Sequence, residues 1–240
     1  MTTAISHDGR ISSEISDGVL TVKLPVSVDG LLSLATCDEL CMLLQSPPAS
    51  AHVLILESDG DAFCLGRERT AASVDELPGE VDRLVAVNHA LRNTRLVSVA
   101  KVHGGAAGFG VGLAALSDFA IATSSAKFSF PEVEIGLAPV LVLAWLPQVV
   151  GRREAMRLTA TGATISASRA VELGLFTEAV PDDQLDSQVT SLVADLRRRS
   201  PRVHAEIREF LRIADQATEV NATELARTRL VLGSLRRGRD

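Results

Sequence analysis

Aromatic side chains are scarce in this chain of 240 residues: they make up 3% of it, with one Trp, seven Phe and no Tyr. A core must therefore be built from Ala, Val, Leu and Ile, and the chain is long enough to bury one. Hydrophobic residues make up 46% and charged residues 22%, which excludes a low-complexity disordered chain. No apolar run reaches the roughly 18 residues that a membrane-spanning helix needs, so we expect no membrane span.

Cysteine is also rare, and the three residues present, Cys37, Cys41 and Cys64, show no paired spacing. An odd number of unpaired cysteines excludes a disulfide scaffold and favours a reducing compartment. Residues 1–10 lack the basic and then apolar pattern of an export signal, so we predict a cytoplasmic protein. The five histidines are scattered, and their spacing predicts no metal site.

Positive charge is in deficit, because the formal net charge is −6 and the isoelectric point is about 5.4. Proteins that bind nucleic acid usually carry a basic face. We therefore expect no nucleic-acid partner.

The hydrophobic pattern predicts strands alternating with helices up to about residue 180 and helices alone after that point. We interpret this as an α/β core over residues 1–182 and a helical C-terminal part over residues 183–240. The predicted strands are 11–15 and 19–24, which form a hairpin around Asp17-Gly18, and then 53–57, 97–102 and 120–122. The predicted helices are 34–44, 80–92, 108–116, 153–161, 167–173, 183–199, 201–214 and 219–235.

Three stretches could carry chemistry, and the first of them, residues 59–68, directly follows the predicted strand 53–57. In a parallel sheet, the loop after the carboxyl end of a strand is where ligands bind. Gly66 would let the backbone approach a ligand, and the N–H groups after it could act as donors. An ordinary surface turn is the alternative interpretation.

The second stretch is rich in glycine, covers residues 103–112, and opens the predicted helix 108–116. It lacks the Lys and Ser/Thr that end a P-loop, and Gly108, Gly110 and Gly112 do not have the dinucleotide spacing. A helix start without bulky side chains, with free N–H groups, remains suited to polarising one oxygen atom.

The third stretch, residues 126–139, places Glu132 between Phe130, Pro131 and Val133. A carboxyl group in apolar surroundings has a raised pKa and can act as a base near neutral pH. A solvated turn residue is the alternative for Glu132.

In this order the three stretches resemble the crotonase superfamily, also called the enoyl-CoA hydratase/isomerase family. The resemblance runs from about Ile11 to Pro181. It is carried by Ala62-Phe63-Cys64 with Gly66, by Gly108 to Asp118, by Pro131-Glu132-Val133 with Gly136-Leu137-Ala138-Pro139, and by landmarks that end at Val180-Pro181. It implies an α/β fold with a crotonase-type ββα spiral core.

The resemblance also implies a substrate and a site. The family binds acyl-CoA thioesters, so coenzyme A is expected as part of the substrate and no other cofactor is expected. The thioester carbonyl would lie in an oxyanion hole formed by the backbone N–H groups of Arg67 and Phe109. The Arg67 side chain would contact a CoA phosphate or close the pocket. The other expected substrate-binding residues are Ala62, Cys64, Leu65, Gly66, Gly108, Gly112 and Pro139.

Hydratases of this family use two Glu residues, and here Glu132 matches one of them while Gly112 stands at the other. A single base suits double-bond isomerisation, so we predict an enoyl-CoA isomerase with Glu132 as its catalytic residue. If the segment around Glu132 is extended, Glu134 shares a face with Glu132 as a spare acid, and an exposed residue is the alternative for Glu134. The alternatives are an enoyl-CoA hydratase with an altered site and a non-catalytic acyl-CoA binder. A Ser-His hydrolase through Ser117 and His103 is the least favoured.

Two further expectations concern the surroundings of the site. The apolar run Val140 to Trp145 predicts a dry pocket, although simple helix packing explains it equally well. The family forms trimers and hexamers, so residues 183–240 are expected to act in oligomerisation through Leu192, Val193 and Leu196, and through Leu225, Leu230 and Leu232. The same side chains could instead pack within the chain.

Overall fold

The strands of the protein are short, and most of them contribute to one sheet. A computed structural model describes residues 11–214 and 216–236, the Arg236 side chain excepted. Within these residues the strands are β1 (Ser12–Ser16), β2 (Val19–Leu24), β3 (Leu31–Leu32), β4 (Val53–Ser58), β5 (Gly66–Arg67), β6 (Val97–Val102), β7 (Gly105–Ala107), β8 (Phe119–Thr123), β9 (Lys127–Ser129), β10 (Ile165–Ser166) and β11 (Glu178–Val180).

Helices alternate with strands along the chain, and only helices follow β11 in the described residues. They are α1 (Leu34–Gln45), α2 (Leu77–Asn93), α3 (Phe109–Ala115), α4 (Val140–Leu143), α5 (Leu146–Val150), α6 (Arg152–Thr161), α7 (Ala167–Glu172), α8 (Leu185–Arg197), α9 (Pro201–Ala214) and α10 (Glu219–Arg236). Two short 3-10 helices, Pro131–Ile135 and Asp182–Gln184, complete the described elements. The predicted α/β class is confirmed.

The main sheet has six strands in the order β1-β2-β4-β6-β8-β11. Only β1 and β2 pair antiparallel, around the turn at Asp17 and Gly18, and the other four pairings are parallel. Parallel pairing brings the carboxyl ends of β4, β6 and β8 to one edge. A smaller sheet, β10-β9-β7, and the pair β3-β5 form beside it. The chain thus repeats a strand of the main sheet, a short strand outside that sheet and then a helix, as in β4-β5-α2 and β6-β7-α3.

The core is aliphatic, as the composition requires. Among the largest fully buried side chains, three are Phe and the rest are Leu. Phe128 packs edge-on against Phe176 with ring centroids 4.3 Å apart. The three cysteines are free, and burial raises the pKa of the Cys37 and Cys64 thiols to about 12, so both behave as inert core residues.

The chain divides into two compact units between Val193 and Ala194. The first holds all of the strands described above. The second holds α9 and α10, which contact each other and are joined by an ion pair between Arg229 and Glu209, 2.7 Å apart. Of the residues proposed for oligomerisation, Val193 is buried, whereas Leu230 and Leu232 are exposed. An oligomerisation role for residues 183–240 stays a prediction.

The longer predicted elements are confirmed, most of them within two or three residues at each end. The hairpin, β4, β6, β8 and the eight predicted helices are all present. Strands of two or three residues, such as β5 and β7, were missed because they are too short to show a periodicity. Residues 1–10, to which the prediction of no export signal refers, and residues 237–240 lie outside the described part of the chain.

None of the helices described above combines the length and the apolar character that crossing a bilayer demands. Within residues 11–214 and 216–236, no three His, Cys, Asp or Glu side chains are grouped so that they could hold a metal ion.

Candidate active site

The first two stretches meet because both follow neighbouring strands of the main sheet. The Phe63 N–H donates to the carbonyls of His103 and Gly105 at 3.0 Å, and the Ala107 N–H donates to the Cys64 carbonyl at 2.9 Å. A Cβ atom on Gly110 would lie 2.0 Å from the Cys64 carbonyl oxygen, so only glycine allows this approach. These contacts hold the chain that leads to Arg67 against the start of α3.

The third stretch reaches the same place through Gly108. The Gly108 N–H donates to the Ser129 carbonyl at 3.0 Å, at the end of β9 and just before the 3-10 helix Pro131–Ile135. Gly108 has φ 51° and ψ −117°, a conformation that side chains disfavour, and a Cβ atom there would lie 2.8 Å from Glu132 Oε1. The Glu132 carboxyl group therefore faces the residue immediately before Phe109.

The environment of Glu132 suits a base. Its Oε2 atom is buried, and none of the described residues hydrogen-bonds to it. Burial raises the pKa of the Glu132 carboxyl group above its ordinary value, and its own backbone N–H and the positive charge of Arg69 offset part of that rise. A desolvated carboxylate with a free oxygen is equipped to take up a proton from a ligand.

The pH dependence of Glu132 can be predicted from this raised pKa. A base works as the carboxylate, so kcat/KM should fall as the pH is lowered through the raised pKa, above the roughly 4.3 of an ordinary Glu. The folded state binds this proton more tightly than the unfolded state. The contribution of Glu132 to the free energy of unfolding therefore decreases as the pH rises from the ordinary Glu pKa through the raised one. Glu132→Gln should therefore unfold at a higher temperature than the wild type at neutral pH. Thermal unfolding at acid and neutral pH checks the sign, and a lower unfolding temperature for Glu132→Gln at neutral pH would contradict it.

A cavity of about 620 Å³ opens at this meeting point. Most of the predicted site residues line it: Leu65, Gly66, Arg67, Gly108, Phe109, Gly112, Glu132 and Pro139. Ala62 and Cys64 are not among the lining residues. Cys64 is fully buried, and its thiol donates to the Gly66 carbonyl at 3.1 Å. It therefore stabilises the backbone next to Arg67 without lining the cavity.

The two predicted oxyanion donors lie on this wall. Arg67 belongs to β5, and the hydrogen bonds on either side, from the Leu65 N–H to Gly30 and from the Glu68 N–H to Leu32, hold its peptide in place. Phe109 is the first residue of α3, where backbone N–H groups have no partner inside the helix. The Phe109 side chain is buried and adds an apolar surface to the cavity.

Gly112 occupies the position from which a second acid would project. A Cβ atom there would lie 3.7 Å from Trp145 Cζ2, an ordinary contact, and both residues line the cavity. Trp145 is 4% exposed and packs edge-on against Phe130. An indole ring thus borders the position, and this wall of the cavity is apolar, as the run Val140 to Trp145 suggested.

The position of Glu134 differs from the one that an extended segment would give it. Residues Pro131–Ile135 form a 3-10 helix with about 120° between successive residues, so residues two apart point in different directions. The premise that Glu132 and Glu134 share one face is therefore wrong. Proline at the start of the segment and the left-handed Gly136 at its end favour this tight turn. Glu134 is exposed and still borders the cavity.

Helix α2 contributes residues to the cavity that the sequence did not indicate. Val81, Leu84 and Asn88 line the cavity, and Asn88 is 8% exposed with an Oδ1 atom that accepts no hydrogen bond from the described residues. Buried polar groups are usually satisfied, so the two cavity oxygens without partners, on Asn88 and Glu132, indicate room for a polar ligand. The spacing of four between Leu84 and Asn88 could have marked one helix face, but not what that face meets.

The Arg67 guanidinium has a partner within the chain, and its expected contact with a CoA phosphate stays a prediction. It pairs with Glu80 of α2, which is 5% exposed and also accepts hydrogen bonds from the Thr70 N–H at 2.7 Å and the Ala71 N–H at 2.5 Å. Desolvation raises the pKa of Glu80, but the hydrogen bonds from Thr70, Arg67 and Ala71 outweigh it and lower that pKa to about 2. Glu80 is therefore ionised at neutral pH, next to the segment that contains Thr70 and Ala71.

The family model described as enoyl-CoA hydratase/isomerase matches residues 14–232. The chain belongs to that family. The resemblance to the crotonase superfamily is thereby confirmed, over a longer part of the chain than Ile11 to Pro181.

Individual family members agree in sequence and in fold. A protein of Rhodobacter capsulatus named "Probable enoyl-CoA hydratase" is 32% identical over 205 residues, which cover 83% of this chain and 79% of that protein. The crystal structure of an enoyl-CoA hydratase/isomerase family member is 28% identical with a TM-score of 0.80, covering 93% of this chain and 90% of the other. The enoyl-CoA hydratase of Mycobacterium smegmatis, 23% identical, has the same fold with a TM-score of 0.85 and coverages of 97% and 90%. The expected crotonase fold is confirmed.

Proposed function

We propose that this chain is an acyl-CoA enzyme that moves the double bond of an enoyl-CoA from the 3-position to the 2-position, with Glu132 as its single base. The observation that carries the proposal is the pairing of Glu132, whose carboxyl group faces Gly108 with one oxygen unpartnered, with Gly112, where an indole ring borders the place of a second acid. The family membership supports the acyl-CoA thioester as substrate.

The chemistry needs one base and one oxyanion site. Glu132 removes a proton from the α-carbon of the 3-enoyl thioester, and the negative charge passes to the thioester oxygen as a dienolate. The N–H groups of Arg67 and Phe109 stabilise that charge as it develops, which is the kind of interaction that lowers a barrier most. The protonated Glu132 then returns the proton to the γ-carbon, which restores the carboxylate and leaves the 2-enoyl thioester.

The apolar wall disfavours hydration. Adding water to a 2-enoyl thioester requires a group that activates the water and a group that delivers a proton. Trp145 and Gly112 supply neither, and the buried ring leaves an apolar surface beside Gly112. The rest of the cavity suits an acyl chain.

One observation favours hydration as the second candidate. Glu134 borders the same cavity, so a second carboxylate is available at its rim although not on the face of Glu132. The relative in Rhodobacter capsulatus is also named a hydratase. A non-catalytic acyl-CoA binder is the third possibility, and it would keep the cavity without turnover.

A panel of 2-enoyl-CoA and 3-enoyl-CoA substrates of several chain lengths, with product analysis, tests the proposal. We expect conversion of 3-enoyl to 2-enoyl thioesters and little 3-hydroxyacyl product. In deuterated buffer, part of the substrate's own hydrogen should reappear at the γ-carbon, because one carboxyl group carries it. Dominant 3-hydroxyacyl product would favour hydration through Glu134, and binding without conversion would favour the binder.

A second acid should change the balance of products. Gly112 lies in α3, and glycine is less favourable than glutamate inside a helix. A Cβ atom at this position would make only an ordinary contact with Trp145. We expect Gly112→Glu to raise the ratio of hydration to isomerisation by about tenfold or more, since one general acid or base contributes roughly 100-fold to 10,000-fold. Gly112→Gln is the matched control of equal size, and an equal rise in both variants would contradict an acid–base role.

Assembly and location are also proposals. Exposed apolar side chains on α9 and α10, among them Ile207, Leu211 and Leu230, support a homotrimer or hexamer in which these helices pack against neighbouring copies. The free cysteines suit a cytoplasmic protein. Light scattering of the purified chain measures the assembly.

A further inference from the structure

Glu80 is the most heavily engaged carboxylate near the cavity. Four donors converge on it: the Thr70 N–H, the Thr70 hydroxyl at 2.9 Å, the Ala71 N–H and the Arg67 guanidinium. It is 5% exposed, although it lies in the first turn of α2, where an acid gains the same helix-dipole stabilisation when it points into solvent. Burying a charge is costly unless it is fully paired, so local helix stability does not account for this placement.

The partners of Glu80 all lie in one segment. Arg67 ends the two-residue strand β5, and from Glu68 to Glu76 the chain has no helix or strand of its own. The Glu68 N–H bond to the Leu32 carbonyl is the last backbone link of this segment to β3. Beyond that point Glu80 binds the segment at Thr70 and Ala71, and it also binds the Arg67 side chain before it.

Arg67 is held by both its backbone and its side chain. β3 fixes the backbone from one side, and the guanidinium is fixed from the other side by Glu80 and by the Glu68 carbonyl at 3.1 Å. Arg67, whose peptide is held by these attachments, lines the cavity. We expect a backbone donor held in this way to keep its orientation when charge develops on a ligand.

We propose that Glu80 is a positioning residue that sets the orientation of the Arg67 N–H as the first oxyanion donor. The inference rests on the proposed function, in which that N–H binds the thioester oxygen. Glu80 itself does not contact the reacting atoms. It acts through Arg67 and through the backbone of Thr70 and Ala71, so its effect should appear in transition-state stabilisation and not in substrate affinity.

The first test is Glu80→Gln, which keeps a carbonyl acceptor for the Thr70 and Ala71 N–H groups and removes the charge that binds Arg67. We expect kcat to fall by about 10-fold to 100-fold with KM changed less than about threefold, because loss of one whole donor costs about 100-fold to 1,000-fold. Arg67→Met removes the same pair from the other side while keeping the backbone N–H. The kcat of the double variant should be no lower than that of the less active single variant, since both changes break the same linkage.

Glu76→Gln is the matched control. Glu76 lies one turn before Glu80, is exposed, and accepts a hydrogen bond from the Ala72 N–H at 2.8 Å without touching Arg67. It should keep wild-type kcat. Equal losses in Glu76→Gln and Glu80→Gln, or additive losses in the double variant, would overturn the proposal.

A ligand titration separates this inference from the proposed isomerase activity. Acetoacetyl-CoA forms an enolate with a near-ultraviolet absorbance, and oxyanion donors lower the pH at which the bound ligand enolises. That pH should rise by about one unit in Glu80→Gln, equivalent to a tenfold loss of enolate stabilisation. The assay needs no turnover. A wild-type protein that does not favour the enolate would contradict the proposed site, whereas enolisation that is equal in wild type and Glu80→Gln, with both proteins folded, would contradict the role of Glu80 alone.

Discussion

Glu132→Gln should reduce the turnover of 3-enoyl-CoA by about 100-fold to 10,000-fold, the range that one general base contributes. The amide cannot take up the α-proton, while its size preserves the cavity next to Gly108. Affinity for a saturated acyl-CoA should change little, because the proposed oxyanion donors are backbone N–H groups. Steady-state kinetics together with isothermal titration of the saturated thioester measures both quantities.

Glu134→Gln is the matched control, since it removes a carboxylate from the same 3-10 helix and the same cavity but not from the face of Gly108. It should retain most of the isomerase activity. Full turnover in Glu132→Gln would exclude this residue as the base. Loss of activity in Glu134→Gln alone would transfer the role to the carboxylate at the rim.

Gly108→Ala should have the second largest effect, because it alters both halves of the site at once. The new methyl group would lie 2.8 Å from Glu132 Oε1, and φ 51° is strained for alanine at a cost of about 1–3 kcal/mol. Relief of that contact must move either the carboxyl group or the peptide that carries the Phe109 N–H. We expect kcat to fall by about 100-fold or more, comparable to the loss of an oxyanion donor.

Gly174→Ala separates strain from displacement. Gly174 has a similar positive φ of 76°, and a Cβ atom there meets nothing within 4 Å. Both variants should lose stability in thermal unfolding, and only Gly108→Ala should lose activity. Comparable kinetics in the two variants would contradict the contact between Gly108 and Glu132.

The surroundings of Glu132 could be predicted from its immediate neighbours in the sequence. Glu132 follows Phe130 and Pro131 directly, so its apolar surroundings are visible in the sequence, and burial does raise its pKa. Glu134 is exposed, which was one of its two interpretations, and the extended segment that would place it on the face of Glu132 is not formed. Five residues carry too little periodicity to separate an extended chain from a 3-10 helix. Ala62 and Cys64 belong to the loop that carries Arg67, but they support it from outside the cavity lining.

The sequence by itself determined the α/β class, the order of the long strands and helices, and the family, because alternating hydrophobicity and closely spaced motifs are local properties of the chain. The tertiary structure alone decided that Gly108 faces Glu132, that Trp145 borders Gly112, and that Glu80 binds Arg67. Those contacts join residues far apart in the chain, and their geometry depends on which strands pair and in which register. Short strands such as β5 and β7 pair through backbone hydrogen bonds, which leave almost no trace in the identity of the side chains.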